Sequence, residues 1–298
     1  MRVFLTGATG FIGSAVIPVL QQAGHQVLGM ARSEAGAEAL QLAGVDVHRG
    51  ELADLDSLRR GAQQADAVIH CAFNHDFSQF AANCAQDRKA IEALGSALAG
   101  SERPLIVTSG TGITTNPAGL PASETDDAPP SSVVPRAATE EATAALAAQG
   151  VHTRIVRLAQ IHNPERQGLV SYLIQIARRK GKLAYVGTGE SRWPAAHRQD
   201  AARLYRLVLE NGEAGKRYHA VTEEGVPARA IVETLGERLQ LPVVSLSEQE
   251  AAEYFEWLAP FAVRDLVSTS AWTRQMLGWT PTGPGLLEDL RNLDLSKN

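Results

Sequence analysis

Short apolar runs alternate with longer segments of helical periodicity over the first half of the chain, and this alternation is typical of βαβ units around a parallel sheet. The apolar runs predict strands at Arg2 to Thr6, Gln26 to Ala31, Val45 to His48, Ala67 to Ala72, Leu105 to Ser109 and Thr153 to Leu158. The segments between them predict helices at Phe11 to Gln22, Ala35 to Leu42, Leu55 to Ala62, Ser78 to Ala99 and Arg136 to Ala148. Six strands in this rhythm predict a doubly wound, parallel α/β sheet.

The pattern changes after the fifth predicted strand. Gly112 to Pro135 contains five prolines and scattered Ser and Thr, which predicts a long loop of the kind that often lines a binding site. Beyond it the pattern predicts further elements, namely helices at Leu169 to Arg179, Gln199 to Glu210 and Pro227 to Leu239, a strand near Tyr218 to Val221, and a helix after the capping box of Ser247 and Glu250. We therefore expect a sheet domain at residues 1–160 with a returning segment at about 195–222, and a smaller, mostly helical C-terminal lobe at 161–194 and 223–298.

Composition narrows the classes of partner. The chain has 298 residues, 44% hydrophobic and 20% charged, and its net charge of −5 offers no basic stripe for nucleic acid, so a small-molecule partner is expected. No apolar stretch approaches the length of a membrane span, and the N-terminal apolar run reaches glycine by Gly7, too early for a signal peptide. The two cysteines form no CxxC pair, which favours a cytoplasmic setting, and the histidine and cysteine spacings predict no metal.

A glycine-rich segment, VFLTGATGFIGSAV, joins the first predicted strand to the first predicted helix. Glycines at positions 7, 10 and 13 let the backbone turn tightly, approach a diphosphate without an intervening Cβ, and pack the helix closely on the strand. The free N–H groups and the positive dipole end of that helix then face the phosphates. The segment predicts a Rossmann-type dinucleotide site formed by Gly7, Thr9, Gly10, Phe11, Ile12 and Gly13.

The end of the second strand decides which dinucleotide binds. An Asp or Glu at that point would accept hydrogen bonds from the ribose 2′-OH of NAD. Here Arg32 and Ser33 follow the strand instead, and a guanidinium can pair with the 2′-phosphate of NADP. NADP is therefore expected in preference to NAD, the alternative being that Arg32 is a solvated surface residue.

Several strings together carry a family resemblance: TGATGFIG at the glycine segment, GELAD at 50–54, DAVIHCAF at 66–73, RWPAAHRQDAARLYRLVLE at 192–210 and LGWTPTGPGLLEDL at 277–290. With them the chain resembles the extended short-chain dehydrogenase/reductases, in an atypical branch of the NAD-dependent epimerase/dehydratase-like group. The resemblance implies cofactor contacts at Glu51 and Leu52 (adenine), Ala72 and Phe73 (ribose and nicotinamide), Thr108 and Ser109 (nicotinamide ribose) and Ala159 (carboxamide). It also implies that Tyr185, Arg192, Trp193 and His197 border the substrate, although Trp193 could equally be a packing residue.

The resemblance fails at the expected catalytic pair. Carbonyl-reducing relatives use a Tyr as proton donor and a Lys four residues later, whereas Arg136 and Glu140 occupy those places in VVPRAATEEA. If they lie one turn apart on a helix, the two side chains can form an i,i+4 pair, and the guanidinium can hold a carbonyl or carboxylate oxygen. An ordinary surface ion pair is the alternative.

Three other side chains are candidates for the chemistry. His75 follows the fourth strand at the sheet edge where ligands bind, and can donate a proton near neutral pH; otherwise His75 and Asp76 are a solvated or helix-capping pair. Ser109 and Thr111 can hydrogen-bond a substrate oxygen or satisfy nearby backbone groups.

The first functional hypothesis is an NADP-dependent oxidoreductase that moves a hydride to or from a small carbonyl, imine or activated alkene. An epimerase or dehydratase with tightly bound nucleotide is the second hypothesis, and a non-catalytic NADP-sensing regulator is the third. By analogy with the superfamily we also expect a homodimer through the helices at 78–99 and 136–148.

Overall fold

The computed structural model describes residues 1–114, 116 and 119–297 of the chain. Its strands are β1 Arg2–Thr6, β2 Gln26–Ala31, β3 Asp46–Arg49, β4 Ala67–His70, β5 Leu105–Gly110, β6 Thr153–Leu158, β7 Gln160–Asn163, β8 Arg166–Gln167, β9 Leu183–Val186, β10 Arg192–His197, β11 Arg217–Ala220, β12 Glu223–Pro227 and β13 Val243–Leu246. Its helices are α1 Gly13–Gln22, α2 Glu34–Leu42, α3 Leu55–Gln63, α4 Phe80–Ser96, α5 Ala138–Ala148, α6 Leu169–Lys180, α7 Arg198–Asn211, α8 Ala228–Leu239, α9 Glu248–Phe255, α10 Ala259–Ala262, α11 Ala271–Leu277 and α12 Leu286–Arg291.

Seven strands form one parallel sheet in the order β3-β2-β1-β4-β5-β6-β11. The order of the strands reverses between β1 and β4, so the loops after these two strands diverge and leave a crevice at their carboxyl ends. The predicted doubly wound sheet is confirmed, and the strand near Tyr218 joins it as β11. The sheet therefore presents its ligand-binding edge where β1, β4, β5 and β6 end.

Alternate side chains of the strands pack into two separate cores, one on each face of the sheet. Val3 and Leu5 of β1 pack with apolar residues of α1, α2 and α7. Phe4 faces the opposite way, into a core with α3, α4 and α5. Because both faces are covered by helices, the central strands β1, β2, β4 and β5 are buried at nearly every position, which explains why their apolar runs are visible in the sequence.

The C-terminal part adds helices and two small sheets. A four-stranded sheet has the order β12-β10-β7-β8, and β9 pairs with β13 in a two-stranded parallel sheet. Helices α6, α8 and α9 enclose a third apolar core with these strands. The sequence pattern predicts α6, α8 and the start of α9, but it misses the three short helices α10, α11 and α12 and the six short strands. Four of these strands, β9, β10, β12 and β13, pair only with strands at least 20 residues away in the chain, and β7 and β8 are too short for their alternation to be visible. Among the described residues, no helix has both the length and the hydropathy required to traverse a lipid bilayer.

One helix boundary differs from its prediction in a way that affects the site. Arg136 lies in a 3-10 turn, Pro135–Ala137, and α5 begins only at Ala138. Pro135 fixes the backbone at the start of this turn and lacks an N–H, so it suits the first position of a helical segment. The side chain of Arg136 therefore leaves the backbone before the regular α-helical geometry begins.

Candidate active site

The glycine segment between β1 and α1 has no room for side chains at its key positions. Gly7 has a φ of +69°, and a Cβ there would lie 2.7 Å from the backbone nitrogen of Ala72 at the end of β4. A Cβ on Gly13 would lie 2.2 Å from the carbonyl oxygen of Gly7. The loop, the start of α1 and the end of β4 are thus packed backbone against backbone. This leaves a smooth cradle that fits the diphosphate of a dinucleotide.

Donors for a diphosphate are present at this cradle. The backbone amides of Phe11 and Ile12 donate no hydrogen bond within the described part of the chain, and no side chain caps α1. Arg198, at the start of α7, donates from Nε to the carbonyl oxygen of Phe11 at 2.6 Å and from Nη2 to Ser14 Oγ at 2.7 Å. Arg198 therefore holds the loop in place while adding positive charge beside the amides.

Two arginines lie near the predicted 2′-phosphate position. Arg32 is exposed and makes no hydrogen bond or ion pair within the described residues. Ser33 caps α2 by accepting from the N–H of Gly36 at 3.1 Å. Arg49, at the end of β3, donates to the carbonyl oxygen of Ser33 and to Glu34 Oε2, both at 2.8 Å. Arg49 is brought next to Ser33 only by the pairing of β2 with β3, so the sequence pattern gives no sign of its position.

The other implied cofactor positions lie around the same edge. Glu51 is exposed, and Leu52 packs partly on the core below the sheet while its carbonyl oxygen accepts from Gln86 Nε2 at 2.8 Å. Ala72 donates its N–H to Thr6 Oγ1 at 3.3 Å, next to Gly7. Ala159, between β6 and β7, donates its N–H to the carbonyl oxygen of Ala220 at 3.4 Å.

Arg136 is anchored at the end of β5 by a buried carboxylate. Its Nη1 donates to Asp87 Oδ2 and to Thr139 Oγ1, both at 2.5 Å, and its Nη2 donates to the carbonyl oxygen of Thr108 at 2.9 Å. The guanidinium lies 4.1 Å from the centroid of the Phe73 ring and 14% of the side chain is exposed. Three of its five N–H donors are thereby used, and the other two have no acceptor among the residues that the structure describes.

Asp87 is the partner that the sequence analysis missed. It is buried in α4, and Arg136 and the hydrogen bonds from His70 and Thr139 lower the pKa of its carboxyl far below the ordinary value, against the opposing effect of burial. His70 lies between Asp87 Oδ1, at 3.0 Å from Nε2, and Thr6 Oγ1, at 2.8 Å from Nδ1. A carboxylate on the apolar face of α4, in line with Cys84 and Ile91, is the sequence signal that could have indicated a buried partner.

The predicted i,i+4 pair between Arg136 and Glu140 is wrong. Glu140 is buried against β5 and β6, where it accepts from Arg157 Nε at 2.8 Å and Nη2 at 2.7 Å and from Ser109 Oγ at 2.8 Å. Arg157 lowers the pKa of the Glu140 carboxyl although burial opposes this. Because Arg136 lies in the 3-10 turn before α5, its side chain points to α4 while Glu140 points to the sheet. The Ser109 hydroxyl is thus used by Glu140, and the Glu140 carboxylate is used by Ser109 and Arg157.

Thr108 and Thr111 both have partners within the fold. Thr108 Oγ1 donates to the carbonyl oxygen of His70 at 2.7 Å and lies 2.6 Å from the hydroxyl of Tyr205 in α7. Tyr205 is fully buried, and burial raises the pKa of its phenol well above the ordinary value, so it is a neutral donor to Thr108. Thr111 Oγ1 is 3.4 Å from the carbonyl oxygen of Leu158.

A row of aromatic rings borders Arg136 on the solvent side. Phe73 makes an edge contact with His75 at 5.3 Å, and Phe77 stacks on Trp257 with centroids 4.0 Å apart. Tyr172 of α6 contacts both Phe77 and Trp257 edge-on. These half-buried rings connect the segment after β4 with the C-terminal part. We call this group of rings the aromatic wall, and the space between it and the glycine cradle the cleft.

His75 projects from this wall. Burial, followed by the positive charges of Arg166 and Arg136, lowers the pKa of its imidazole, so at neutral pH most of the His75 side chain carries no proton to donate beyond that of the neutral ring. Asp76 accepts from the N–H of Ser78 at 3.0 Å and so caps the 3-10 turn Phe77–Gln79, the capping alternative considered for it. In the described part of the chain, the hydroxyls of Ser109 and Thr111 bond to Glu140 and Leu158 and to neither of these residues.

The side chains expected to border the substrate lie against different parts of the fold instead. Arg192 makes a bidentate ion pair with Asp265, and Trp193 is buried in the C-terminal core with its Nε1 donating to the carbonyl oxygen of Phe261 at 3.0 Å. Tyr185 lies in β9 against Arg229. The alternative of plain packing for Trp193 is therefore confirmed.

A doubly wound parallel sheet with a glycine-rich turn between its first strand and first helix is the architecture of the dinucleotide-binding Rossmann class. A model described as the NAD dependent epimerase/dehydratase family matches residues 3–222, and the chain belongs to that family.

Similarity to individual proteins extends over most of the chain. An uncharacterized protein of Schizosaccharomyces pombe is 45% identical over 293 residues, covering 97% of this chain and 98% of its own. A 2-alkyl-3-oxoalkanoate reductase of Stenotrophomonas maltophilia is 31% identical over 252 residues, covering 79% of this chain and 74% of its own. A dTDP-glucose 4,6-dehydratase of Streptomyces venezuelae, solved with NAD bound, has a similar fold, with a TM-score of 0.77, 18% identity and coverage of 98% and 96%.

Proposed function

We propose that the protein is an NADP-dependent oxidoreductase that reduces a small carbonyl compound, with an imine or activated alkene as chemically related acceptors. The observation that carries this proposal is the guanidinium of Arg136, fixed beside Phe73 with two free N–H donors at the place where carbonyl-reducing relatives have a Tyr. The relative named 2-alkyl-3-oxoalkanoate reductase, which acts on a ketone by its name, supports a carbonyl substrate.

In the proposed reaction the carbonyl carbon gains a hydride from the reduced dinucleotide, which is thereby oxidised, and the oxygen gains a proton from water, giving an alcohol. Arg136 does not supply the proton, because a guanidinium stays protonated in proteins. It holds the substrate oxygen and stabilises the negative charge that develops there. Asp87, Thr139 and the Thr108 carbonyl keep its remaining N–H groups occupied, so the two free donors have a fixed direction.

The dinucleotide itself would be held by residues already placed around the cradle. The amides of Phe11 and Ile12 and the N-terminus of α1 would bind the diphosphate, with Gly7, Gly10 and Gly13 leaving room for it. Arg32 and Arg49, on either side of Ser33, would bind a 2′-phosphate and so favour NADP over NAD.

The test is direct. Purified protein should oxidise NADPH, followed by its absorbance, with at least one member of a panel of aldehydes, ketones, imines and enones. Arg32→Asp should weaken NADPH binding by about tenfold or more and leave NADH binding nearly unchanged, because it removes a 2′-phosphate partner and adds a repelling charge. Equal effects on the two dinucleotides would refute the NADP assignment.

A second candidate is an epimerase or dehydratase that returns the hydride to the substrate, and the family that includes this chain is described by those activities. Such an enzyme would convert a sugar nucleotide without net change in NADPH absorbance. Tight NADPH binding with neither kind of turnover would favour the third alternative, a regulator that senses NADP.

We also propose that the protein is cytoplasmic and forms a homodimer through α4 and α5. Sedimentation of the purified protein would test the dimer.

A further inference from the structure

Arg166 is an exposed residue of a short hairpin that leaves the main sheet directly after β6. Strands β7 and β8 pair antiparallel, and Asn163 Oδ1 accepts from the N–H groups of Glu165 at 3.1 Å and Arg166 at 2.9 Å. These two bonds fix the turn, so the base of Arg166 is held on a rigid element rather than on a free loop. The hairpin thereby aims a long basic side chain back toward the dinucleotide cradle.

The guanidinium of Arg166 lies 5.8 Å from the centroid of the Phe11 ring, and within the described chain it has no hydrogen-bond acceptor and no carboxylate partner. It is also close enough to His75 for its charge to affect that ring. Both arginines therefore act on His75, Arg166 from the side of Phe11 in the cradle and Arg136 from the side of Phe73. An unpaired guanidinium of this kind is suited to a bidentate anion.

A diphosphate at the cradle has other partners. The amides of Phe11 and Ile12 and the dipole of α1 face it, and Arg198 is already tied to the loop through Phe11 and Ser14. Arg166 makes no such bond to the loop and extends to the His75 side of Phe11. Its charge is thus left for a second anionic group, one that binds between the cradle and the aromatic wall.

We propose that the substrate is an oxo acid, with its carboxylate bound by Arg166 and its ketone oxygen bound by Arg136. This inference rests on the proposed function and adds the charge class of the substrate to it. The two guanidiniums would then fix a ketone acid at both ends, which orients the carbonyl carbon in the cleft.

The experiment measures binding without turnover. Protein saturated with NADP⁺ is titrated by calorimetry with 2-oxopentanoate, 3-oxopentanoate and 4-oxopentanoate, and with the methyl ester of each; acid and dinucleotide are both oxidised, so no hydride moves. At least one acid should bind about tenfold more tightly than its own ester. Arg166→Gln should remove this preference, and Arg166→Lys should retain part of it because the charge remains. Arg229→Gln, which breaks an exposed pair with Glu233 on α8, is the matched control and should leave the preference unchanged.

Equal affinity for every acid and its ester would overturn the inference, as would an acid preference that survives in Arg166→Gln. If Arg166→Gln weakens NADP⁺ binding and keeps the acid preference, the guanidinium serves the diphosphate and the inference is again wrong. Failure of the proposed function gives a different result: the wild-type protein then binds no dinucleotide, or binds NADPH and the acid without reducing either the three acids or any member of the panel.

Discussion

Arg136 owes its position to one buried carboxylate. Asp87 is 2% exposed, and its charge is offset by Arg136 and by hydrogen bonds from His70 and Thr139. A buried charge without its partner costs far more than an exposed one, since neither water nor a counter-ion replaces the lost interaction. Asp87 and Arg136 should therefore behave as a unit in both stability and activity.

We predict that Asp87→Asn and Arg136→Gln each lower the free energy of unfolding by about 3–5 kcal/mol, since each leaves the other charge buried and unpaired. The double variant should cost clearly less than the sum of the two single variants. Urea denaturation of the four proteins measures the coupling. Arg88→Gln is the control: it breaks the neighbouring, half-exposed pair with Glu141 and should cost only about 0–1 kcal/mol. Additive effects of the two buried substitutions would show that the pair is not a unit.

At the scale of secondary structure, the connection from β1 to α1 is specified by local sterics. The Cβ that an alanine would add at Gly13 lies 2.2 Å from the Gly7 carbonyl oxygen and 2.9 Å from Ala8 Cα, both backbone atoms that cannot rotate away. The cradle can therefore form only if glycine is retained at this position, and the glycine spacing together with the flanking strand and helix patterns is enough to predict it.

We predict that Gly13→Ala displaces the start of α1 and weakens NADPH binding by at least about tenfold, because the amides of Phe11 and Ile12 move away from the diphosphate. Calorimetric titration with NADPH measures the change. Gly112→Ala serves as the control, since a Cβ there meets no heavy atom closer than 3.9 Å and the backbone needs no positive φ. Unchanged affinity in Gly13→Ala would show that the tight packing of the cradle is not needed for binding.

The elements of the main sheet could be predicted to within three residues of their ends, because buried apolar runs and helical periodicity are local signals. The partners of the site residues could not. Spacing alone suggested that Arg136 pairs with Glu140, whereas Asp87 lies on a different helix and Arg157 on a strand that follows. Which charged side chains form ion pairs depends on how α4, α5 and β6 pack together. The 3-10 turn at Pro135–Ala137 also changes the direction of the Arg136 side chain, and sequence periodicity does not reveal this change.

At the scale of the whole molecule, buried polar contacts connect the long loop before α5, the sheet edge and the C-terminal segment. Arg157 of β6 donates to the carbonyl oxygen of Asp126 at 2.9 Å, and Glu124 accepts from the N–H and the hydroxyl of Thr273 at 2.9 and 2.5 Å. His219 of β11 lies between these contacts, with Nδ1 2.8 Å from the carbonyl oxygen of Thr269 and Nε2 3.4 Å from Arg157 Nη1. Since a carbonyl only accepts and a guanidinium only donates, these partners require a neutral imidazole with its proton on Nδ1.

That requirement makes the stability of the fold sensitive to mild acid. Burial lowers the pKa of His219 to about 4 from an ordinary value of 6.5, with Glu124, Arg157 and Glu140 as the charged groups that face it. As the pH falls from 6.5 toward 4, the unfolded chain takes up a proton that the folded protein excludes, so stability is lost across that window. Between pH 7 and pH 5 the loss from this one group should be about 2 kcal/mol.

His219→Asn tests this, because the asparagine has a donor near the position of Nδ1 and does not titrate. When the free energy of unfolding is measured in urea at pH 7 and at pH 5, the variant should lose less stability between the two by that amount. A variant that is well folded at pH 7 and still loses as much stability at pH 5 as the wild type would show that acid acts elsewhere, and the tie between loop, sheet and C-terminal segment would then not depend on a neutral histidine.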